Sequence, residues 1–154
     1  MTYALDTNIF IDSFRNATAA SELLAFLERA LPFTFMSAVV MQELVAGART
    51  PAQARALERL VFGPFERRDR VFAPSADAFV TSGRLLAAVA GLEGWAVVHE
   101  RPSLMNDALL ASSCRERGIT LITKDRDFDR FLPFLGGWRH VGPWPSPGSS
   151  RCAE

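Results

Sequence analysis

The chain begins with a short apolar run that ends abruptly in polar residues, and this break constrains the fold more than any other feature. The run 3–5 predicts a buried strand, and Asp6, Thr7 and Asn8 follow it directly before apolar residues resume at Ile9. In an α/β sheet, ligands and chemistry collect beyond the carboxyl ends of the parallel strands. On its own, Asp6 or Asn8 would be explained as the N-cap of the next helix. A functional interpretation therefore requires other acids at comparable places.

Short strand candidates alternate with helical patterns along the rest of the chain. The further strand candidates are 33–36, 71–72, 120–123 and 139–141. The spacing of apolar residues and the breaks at Pro and Gly predict helices over 9–14, 19–31, 38–48, 51–62, 76–92 and 103–117, with a loop over 93–102. This alternation predicts an α/β fold with three layers, α/β/α, around a central and mainly parallel sheet.

The length of 154 residues suits a single domain with a substantial core. We expect this domain to cover residues 1–145 and the Pro-, Gly- and Ser-rich segment 146–154 to be a flexible C-terminal tail. The net charge is zero, and no apolar run approaches the ~20 residues that span a bilayer. Without a basic segment at the N-terminus we expect no signal peptide. The sequence thus predicts a cytoplasmic protein that has no membrane partner.

The histidines and cysteines do not support nucleophilic or histidine-based catalysis. His99 and His140 lie far apart in the sequence, and neither is beside an obvious Ser or Cys nucleophile. Cys114 lies inside a helical pattern and Cys152 lies in the tail, without metal-ligand spacing between them. These observations leave the carboxylates as the candidate reactive groups.

Two acids occur on the apolar faces of predicted helices. Glu43 lies four residues after Val39 and four before Gly47, so it shares a stripe with apolar and small residues. An unpaired charge on an inward face is costly, and either an arginine partner or a shared cation would compensate it. Asp107 lies on the same side of its helix as Leu104. Near a helix N-terminus, however, an acid is also favoured by the helix dipole alone.

A fourth acid follows the strand candidate 120–123. Thr123 ends this strand and Asp125 comes two residues later, which repeats the arrangement at Asp6. Parallel strands end at the same edge of a sheet, so we expect Asp6, Glu43, Asp107 and Asp125 to converge there. Four carboxylates in one cleft raise each other's pKa unless they are compensated. A hard divalent cation, Mg²⁺ or Mn²⁺, takes oxygen ligands of this kind and supports phosphodiester hydrolysis.

Four motifs match those of a known family in order and spacing. They are Leu5-Asp6-Thr7-Asn8, Gln42-Glu43-Leu44, Asn106-Asp107-Ala108-Leu109-Leu110-Ala111 and Thr123-Lys124-Asp125-Arg126-Asp127-Phe128. On these residues the chain resembles PIN-domain ribonucleases, in particular the VapC toxins of bacterial toxin–antitoxin pairs. The resemblance covers nearly the whole chain up to Trp144.

The resemblance implies a Mg²⁺- or Mn²⁺-dependent endoribonuclease that acts on RNA, is inhibited by a cognate antitoxin, and usually forms a homodimer. By position, the acids that match the catalytic and metal-binding quartet of the family are Asp6, Glu43, Asp107 and Asp125. The polar residues Thr7, Asn8 and Thr123 match those that support the quartet.

Three acids compete for the fourth position, because Asp127 and Asp129 follow Asp125 closely. If Phe128 and Phe131 anchor a helical turn, Asp125 shares a side with Phe128, whereas Asp127 is rotated by roughly 100° and faces solvent or caps the turn. We therefore predict Asp125 as the ligand, with Asp127 in a supporting role at most.

The basic residues closest to these acids in sequence are candidates for RNA binding: Arg101, Lys124 and Arg126. An apolar partner surface is predicted near the cleft at Leu57, Leu60, Val61 and Phe62. Ordinary solvated charge and core packing explain both groups of residues equally simply.

Two other functions fit parts of the sequence. A phosphatase of the haloacid dehalogenase type also has an Asp after its first strand, but that chemistry needs a second Asp where this chain has Asn8. A non-catalytic module would keep the fold and bind RNA or protein. The presence of all four acids favours the nuclease over both.

Overall fold

The computed structural model describes residues 1–145, which form a five-stranded sheet surrounded by helices. All four strand pairings are parallel, and the strand order is β3-β2-β1-β4-β5. The strands are β1 Tyr3–Leu5, β2 Thr34–Ser37, β3 Val71–Phe72, β4 Thr120–Ile122 and β5 His140–Val141. The predicted α/β/α architecture is confirmed. The predicted tail, 146–154, lies outside the described residues.

Eight α-helices connect and cover the strands of this described part of the chain. They are α1 Thr7–Arg15, α2 Ala17–Ala30, α3 Ala38–Ala46, α4 Pro51–Ala56, α5 Gly63–Glu66, α6 Ala76–Glu93, α7 Trp95–Glu100 and α8 Ser103–Glu116. Short 3₁₀ segments span Leu31–Phe33 and Arg126–Phe131, and one π-helical segment spans Leu57–Phe62. No helix within residues 1–145 has both the length and the apolar character needed to span a membrane.

Polar side chains cap the N-termini of several helices. Ser37 ends β2 and also caps α3, where its hydroxyl accepts a hydrogen bond from Val39 N–H at 3.2 Å. Asn16 caps α2 through Thr18 N–H and Ala19 N–H. Such caps satisfy backbone donors that the first helical turn leaves unpaired.

The sequence prediction of a loop over 93–102 is wrong, because α7 occupies most of it. Gly94 has φ 97°, a conformation that glycine adopts readily, and α7 begins directly after it without a side-chain cap. Val97 and Val98 pack against the core. A six-residue helix with only two apolar residues against the core is too short to show a helical period in the sequence. The predicted helix 51–62 also differs, since α4 ends at Ala56 and continues as the π-helical segment.

The strand register brings the polar strand ends to one edge. Leu5 pairs with Ile122, so the next residues along β1 and β4, Asp6 and Thr123, lie side by side. Ala4 pairs with Phe35, which places Ser37 at the same level. The apolar residues beneath this edge are almost fully buried, as at Leu5 and Ile122. The sheet thus supplies a rigid base for the polar residues at its carboxyl end.

Candidate active site

Asp6 lies at the centre of the carboxyl edge and is 95% buried, with a relative exposure of 5%. Its Oδ1 accepts a hydrogen bond from Thr7 N–H at 2.7 Å. Its Oδ2 accepts from Asn8 Nδ2 at 2.7 Å and from Thr123 Oγ1 at 2.7 Å. Burial raises the pKa of Asp6 to about 6, an effect that the bonds from Thr123 and Thr7 oppose and that the charges of Glu43 and Asp125 increase.

The Thr123 hydroxyl links the two strand ends. It donates to Asp6 and accepts hydrogen bonds from Asn8 Nδ2 at 3.0 Å and from Asp125 N–H at 2.9 Å. One donor and two acceptor positions are all that a hydroxyl offers, so this side chain is fully used. Thr123 and Asn8, both predicted as supporting residues, therefore fix Asp6 in place.

Glu43 projects from α3 and is held by one donor on each of its carboxylate oxygens. Thr7 Oγ1 donates to Oε2, and Asn106 Nδ2 donates to Oε1 at 3.0 Å. Thr7 was predicted as a supporting residue, but Asn106 was not. Its only sequence signal was its place beside Asp107, and the contact depends on how α8 lies against α3.

Asp107 lies on α8, is half-buried, and accepts no hydrogen bond from the groups described in residues 1–145. Burial raises the pKa of its carboxyl to about 8. The charges of Asp6, Asp125 and Glu43, in that order, contribute to this rise after burial, and Asp127 adds a smaller part of it. The charges of Asp6, Glu43 and Asp125 thus all act on Asp107, and these four acids are called the acid cluster below.

The turn after β4 positions Asp125 and Asp127 differently. Asp125 is exposed and caps the 3₁₀ segment, where its Oδ1 accepts from Asp127 N–H at 2.8 Å. The sequence interpretation assigned solvent exposure or capping to Asp127, and this is wrong. Asp127 instead forms ion pairs with Arg101 and with Arg130, the second at 3.4 Å. Helix α7, which the sequence did not reveal, brings Arg101 to this position.

The three predicted RNA-binding residues lie around this turn. Arg101 pairs with Asp127, and Lys124 Nζ lies 2.7 Å from Asp12 Oδ2 on α1. The side chain of Arg126 is 94% exposed, with its Nε 3.6 Å from Asp129 Oδ2. All three are accessible basic groups, and their contact with RNA stays a prediction.

The donor chemistry of the cluster fits a hard divalent cation. Neither Lys124 nor any arginine in residues 1–145 forms an ion pair with Asp6, Glu43, Asp107 or Asp125. Across the same residues, no three acidic, His or Cys side chains are close enough to form a ready-made metal site. Mg²⁺ does not require one, because it keeps several waters and binds directly to one or two carboxylates. Such a cation would stabilise the ionised carboxylate of Asp107, which no basic group in these residues compensates.

A groove of about 720 Å³ adjoins the acid cluster, and Glu43 is part of its wall. Residues from α1, from α3 and its following turn, and from 53–61 line it: Ile11, Phe14, Arg15, Glu43, Leu44, Gly47, Ala48, Arg49, Gln53, Ala56, Leu57, Leu60 and Val61. Phe14 and Leu60 expose more than half of their surface. Of the four residues predicted for a partner surface, Phe62 is instead part of the core, with 2% exposure.

Together, the parallel sheet and the acids at its carboxyl edge define an α/β protein with a carboxylate site. A family model described as the PIN domain matches residues 3–131. The chain therefore belongs to the PIN-domain family, as the sequence motifs predicted. No curated protein matches the chain in sequence.

Solved structures share the fold at low sequence identity. A chain of the DNA-bound VapBC complex from Salmonella typhimurium is 21% identical with a TM-score of 0.65, and the match covers 92% of this chain and 98% of that one. For VapBC-1 from nontypeable Haemophilus influenzae the identity is 24%, the TM-score 0.58 and the coverage 91% and 98%. For a chain of a toxin–antitoxin complex from Klebsiella pneumoniae the identity is 21% and the TM-score 0.56, and the match covers 89% of this chain and 95% of that one.

Proposed function

We propose that this protein is a divalent-cation-dependent endoribonuclease and the toxin of a cytoplasmic toxin–antitoxin pair. The observation that carries the proposal is the cluster of four acids at the carboxyl edge, without a basic partner among residues 1–145 and with the pKa of Asp107 raised to about 8. Repulsion of this kind is costly to folding, so its presence favours a function that uses it.

The residues divide the work of the site. Asp6 and Asp107 would hold Mg²⁺ or Mn²⁺, with Glu43 and Asp125 completing the oxygen ligands directly or through water. When bound, such a cation lowers the pKa of a water molecule and neutralises charge that develops on the phosphate. Thr7, Asn8 and Thr123 keep Asp6 and Glu43 oriented through their hydrogen bonds. Asp125 is exposed, so its carboxylate would be accessible to the RNA backbone.

An RNA cleavage assay tests this function. Purified protein is incubated with total cellular RNA and Mn²⁺ or Mg²⁺, with and without EDTA. We expect cleavage that EDTA abolishes and that Asp107→Asn lacks, while Asp77→Asn, an exposed acid at the start of α6, serves as the matched control. Cleavage that persists in EDTA would contradict cation dependence.

The groove supports an antitoxin partner. Its wall is mostly apolar, and Glu43 at one side offers a carboxylate to an incoming basic side chain. We propose that a segment of the antitoxin lies here, with apolar residues against Phe14 and Leu60 and an arginine directed at Glu43. The similarity in fold to chains of VapBC and toxin–antitoxin complexes supports this partner.

A pair of matched variants tests the groove. Leu60 and Leu24 are 64% and 62% exposed, but only Leu60 lines the groove. Co-expressed with the protein encoded by an adjacent small open reading frame, Leu60→Asp should lose co-purification and Leu24→Asp should retain it. Equal retention by both variants would exclude the groove.

We also propose that the protein is a homodimer, which light scattering at micromolar concentration would test.

Two other functions remain as outcomes of these assays. A non-catalytic PIN-fold module would bind RNA or protein without any cleavage. A haloacid-dehalogenase-type phosphatase would release phosphate from monoesters. Membership in the PIN family and the use of Asn8 as a hydrogen-bond donor to Asp6 favour the nuclease over the phosphatase.

A further inference from the structure

We propose that Asn106 is a positioning residue that sets the cation affinity of the site by holding Glu43. This inference rests on the proposed function, because it assigns a role within the same carboxylate cluster. Asn106 is half-buried on α8, directly before Asp107. Its amide reaches across the cleft to Glu43 on α3, a residue 63 positions away in the sequence.

The two donors to Glu43 fix both of its oxygens. Asn106 Nδ2 bonds Oε1 at 3.0 Å, and Thr7 Oγ1 bonds Oε2. A carboxylate attached to α3 alone is free to rotate about its side-chain bonds. Two bonds from two other helices, α1 and α8, restrict it to one orientation, because each donor lies at the end of a short side chain on a rigid element.

Neutral donors leave the charge of Glu43 available. Within the part of the chain that the structure describes, no Lys or Arg pairs with this carboxylate. A basic donor at either position would have cancelled its charge. A carboxylate has about four acceptor sites, so two bonds leave others free for a cation or its bound water. Asn106 thus orients Glu43 and leaves its negative charge available to a cation.

Asn106 also couples Glu43 to Asp107. Asn106 and Asp107 are neighbours on α8. The bond from Asn106 to Glu43 therefore fixes the distance between the Glu43 carboxylate and the helix that carries Asp107. Glu43 is also part of the groove wall. Without the Asn106 bond, repulsion from the other acids would favour rotation of Glu43 toward the groove, away from the cluster. We therefore expect loss of the amide to weaken cation binding.

The test measures Mn²⁺ binding directly by electron paramagnetic resonance, which reports free Mn²⁺ and does not depend on cleavage. Asn106→Leu keeps the approximate volume and removes the donor, and Asn106→Ala removes both. Each should raise the Mn²⁺ dissociation constant by roughly tenfold, within the range found when an outer partner of a metal ligand is lost. Met105→Ala is the matched control, since this neighbour is 64% exposed and should change binding by less than about twofold.

A double-mutant comparison separates positioning from general packing. If Asn106 acts through Glu43, Asn106→Leu in a Glu43→Gln background should change the dissociation constant by less than about twofold. A tenfold effect in that background would overturn the inference. So would wild-type affinity in Asn106→Leu, provided that wild-type protein binds Mn²⁺ and cleaves RNA. Wild-type protein that neither binds nor cleaves would instead overturn the proposed function, and the inference with it.

Discussion

Asp6 and Asp107 belong to the same acid cluster, but the protein treats them in opposite ways. Asp6 lies at a strand end, is almost fully buried and accepts three hydrogen bonds. Asp107 lies on the face of α8, is only half-buried and accepts none from the groups described in residues 1–145. The less buried residue nevertheless has the higher pKa, about 8 against about 6.

The difference between the two pKa values follows from the hydrogen bonds that Asp6 accepts and Asp107 lacks, and from the charges that act on Asp107. Burial is the largest cause of the raised pKa at both residues, but bonds from Thr123 and Thr7 stabilise the ionised form of Asp6. Asp107 lacks such bonds, and the charges of its neighbours act on it without opposition. In the proposed cation site, Asp6 is therefore the acid that hydrogen bonds hold in place, and Asp107 is the acid whose ionised form a cation would stabilise most.

The largest expected effect is on catalysis, where the two residues should behave alike. If both acids are direct ligands of the cation, as proposed, Asp6→Asn and Asp107→Asn should each lower RNA cleavage by more than the roughly 10–100-fold typical of an outer partner. Single-turnover cleavage with saturating Mn²⁺ measures this loss. Near wild-type cleavage by either variant would remove that acid from the catalytic site.

The pH dependence of the cation-free protein should follow from both raised pKa values. Because both folded-state pKa values exceed the ordinary 3.8, the folded protein binds more protons than the unfolded chain between about pH 4 and 8. Its unfolding free energy should therefore fall as pH rises through this window, by about 3 kcal/mol for Asp6 alone.

Urea unfolding in EDTA at pH 5 and pH 8 measures this change. A matched series with Mg²⁺ should show a smaller loss, because a bound cation compensates the ionised carboxylates. An unfolding free energy that rises from pH 5 to 8 in EDTA would contradict the assignment of both acids.

A smaller effect should separate the two acids through the stability of their Asn variants. In Asp6→Asn one amide group must face the donors from Asn8, Thr123 or Thr7, which leaves at least one buried donor unpaired. We expect a loss of about 1–3 kcal/mol. Asp107→Asn leaves no hydrogen-bond donor unpaired, and it removes the repulsion between Asp107 and the other acids. The variant should therefore be more stable than wild type at pH 8 in EDTA. Equal destabilisation of both variants would refute the distinction.

The smallest expected effect concerns Asp127. Asp127→Asn breaks ion pairs with Arg101 and Arg130 at a partly exposed site, so it should lower stability by no more than about 1 kcal/mol. Asp125→Asn should reduce Mn²⁺ affinity and cleavage more than Asp127→Asn does. If Asp127→Asn proves the more damaging variant, Asp127 rather than Asp125 completes the quartet.

The strand ends could be predicted from the sequence because their signals are local. A buried run followed by a polar residue identified Asp6 and Thr123, and parallel pairing then brings such ends to one edge. Helical spacing identified the inward faces of α3 and α8 that carry Glu43 and Asp107. These inferences need only the periods of strands and helices and the rule that parallel strands share an edge.

Contacts between elements could not be predicted in this way. The bond from Asn106 to Glu43 depends on how α8 packs against α3, and no spacing within the sequence encodes that orientation. The pairing of Arg101 with Asp127 depends on α7, whose six residues are too few to show a period. What was missed therefore lies in tertiary packing around the acids rather than in the acids themselves.

Proton release on cation binding tests the central claim most directly. If Asp107 holds a proton near neutral pH because nothing compensates its ionised form, a cation must displace that proton when it binds. Calorimetric titration with Mn²⁺ at pH 7, repeated in buffers of different ionisation enthalpy, should show binding coupled to release of protons in wild type and in Asp77→Asn. Asp107→Asn should lose the proton release and bind Mn²⁺ much more weakly. Binding of equal strength in Asp107→Asn, with the same proton release, would contradict the account.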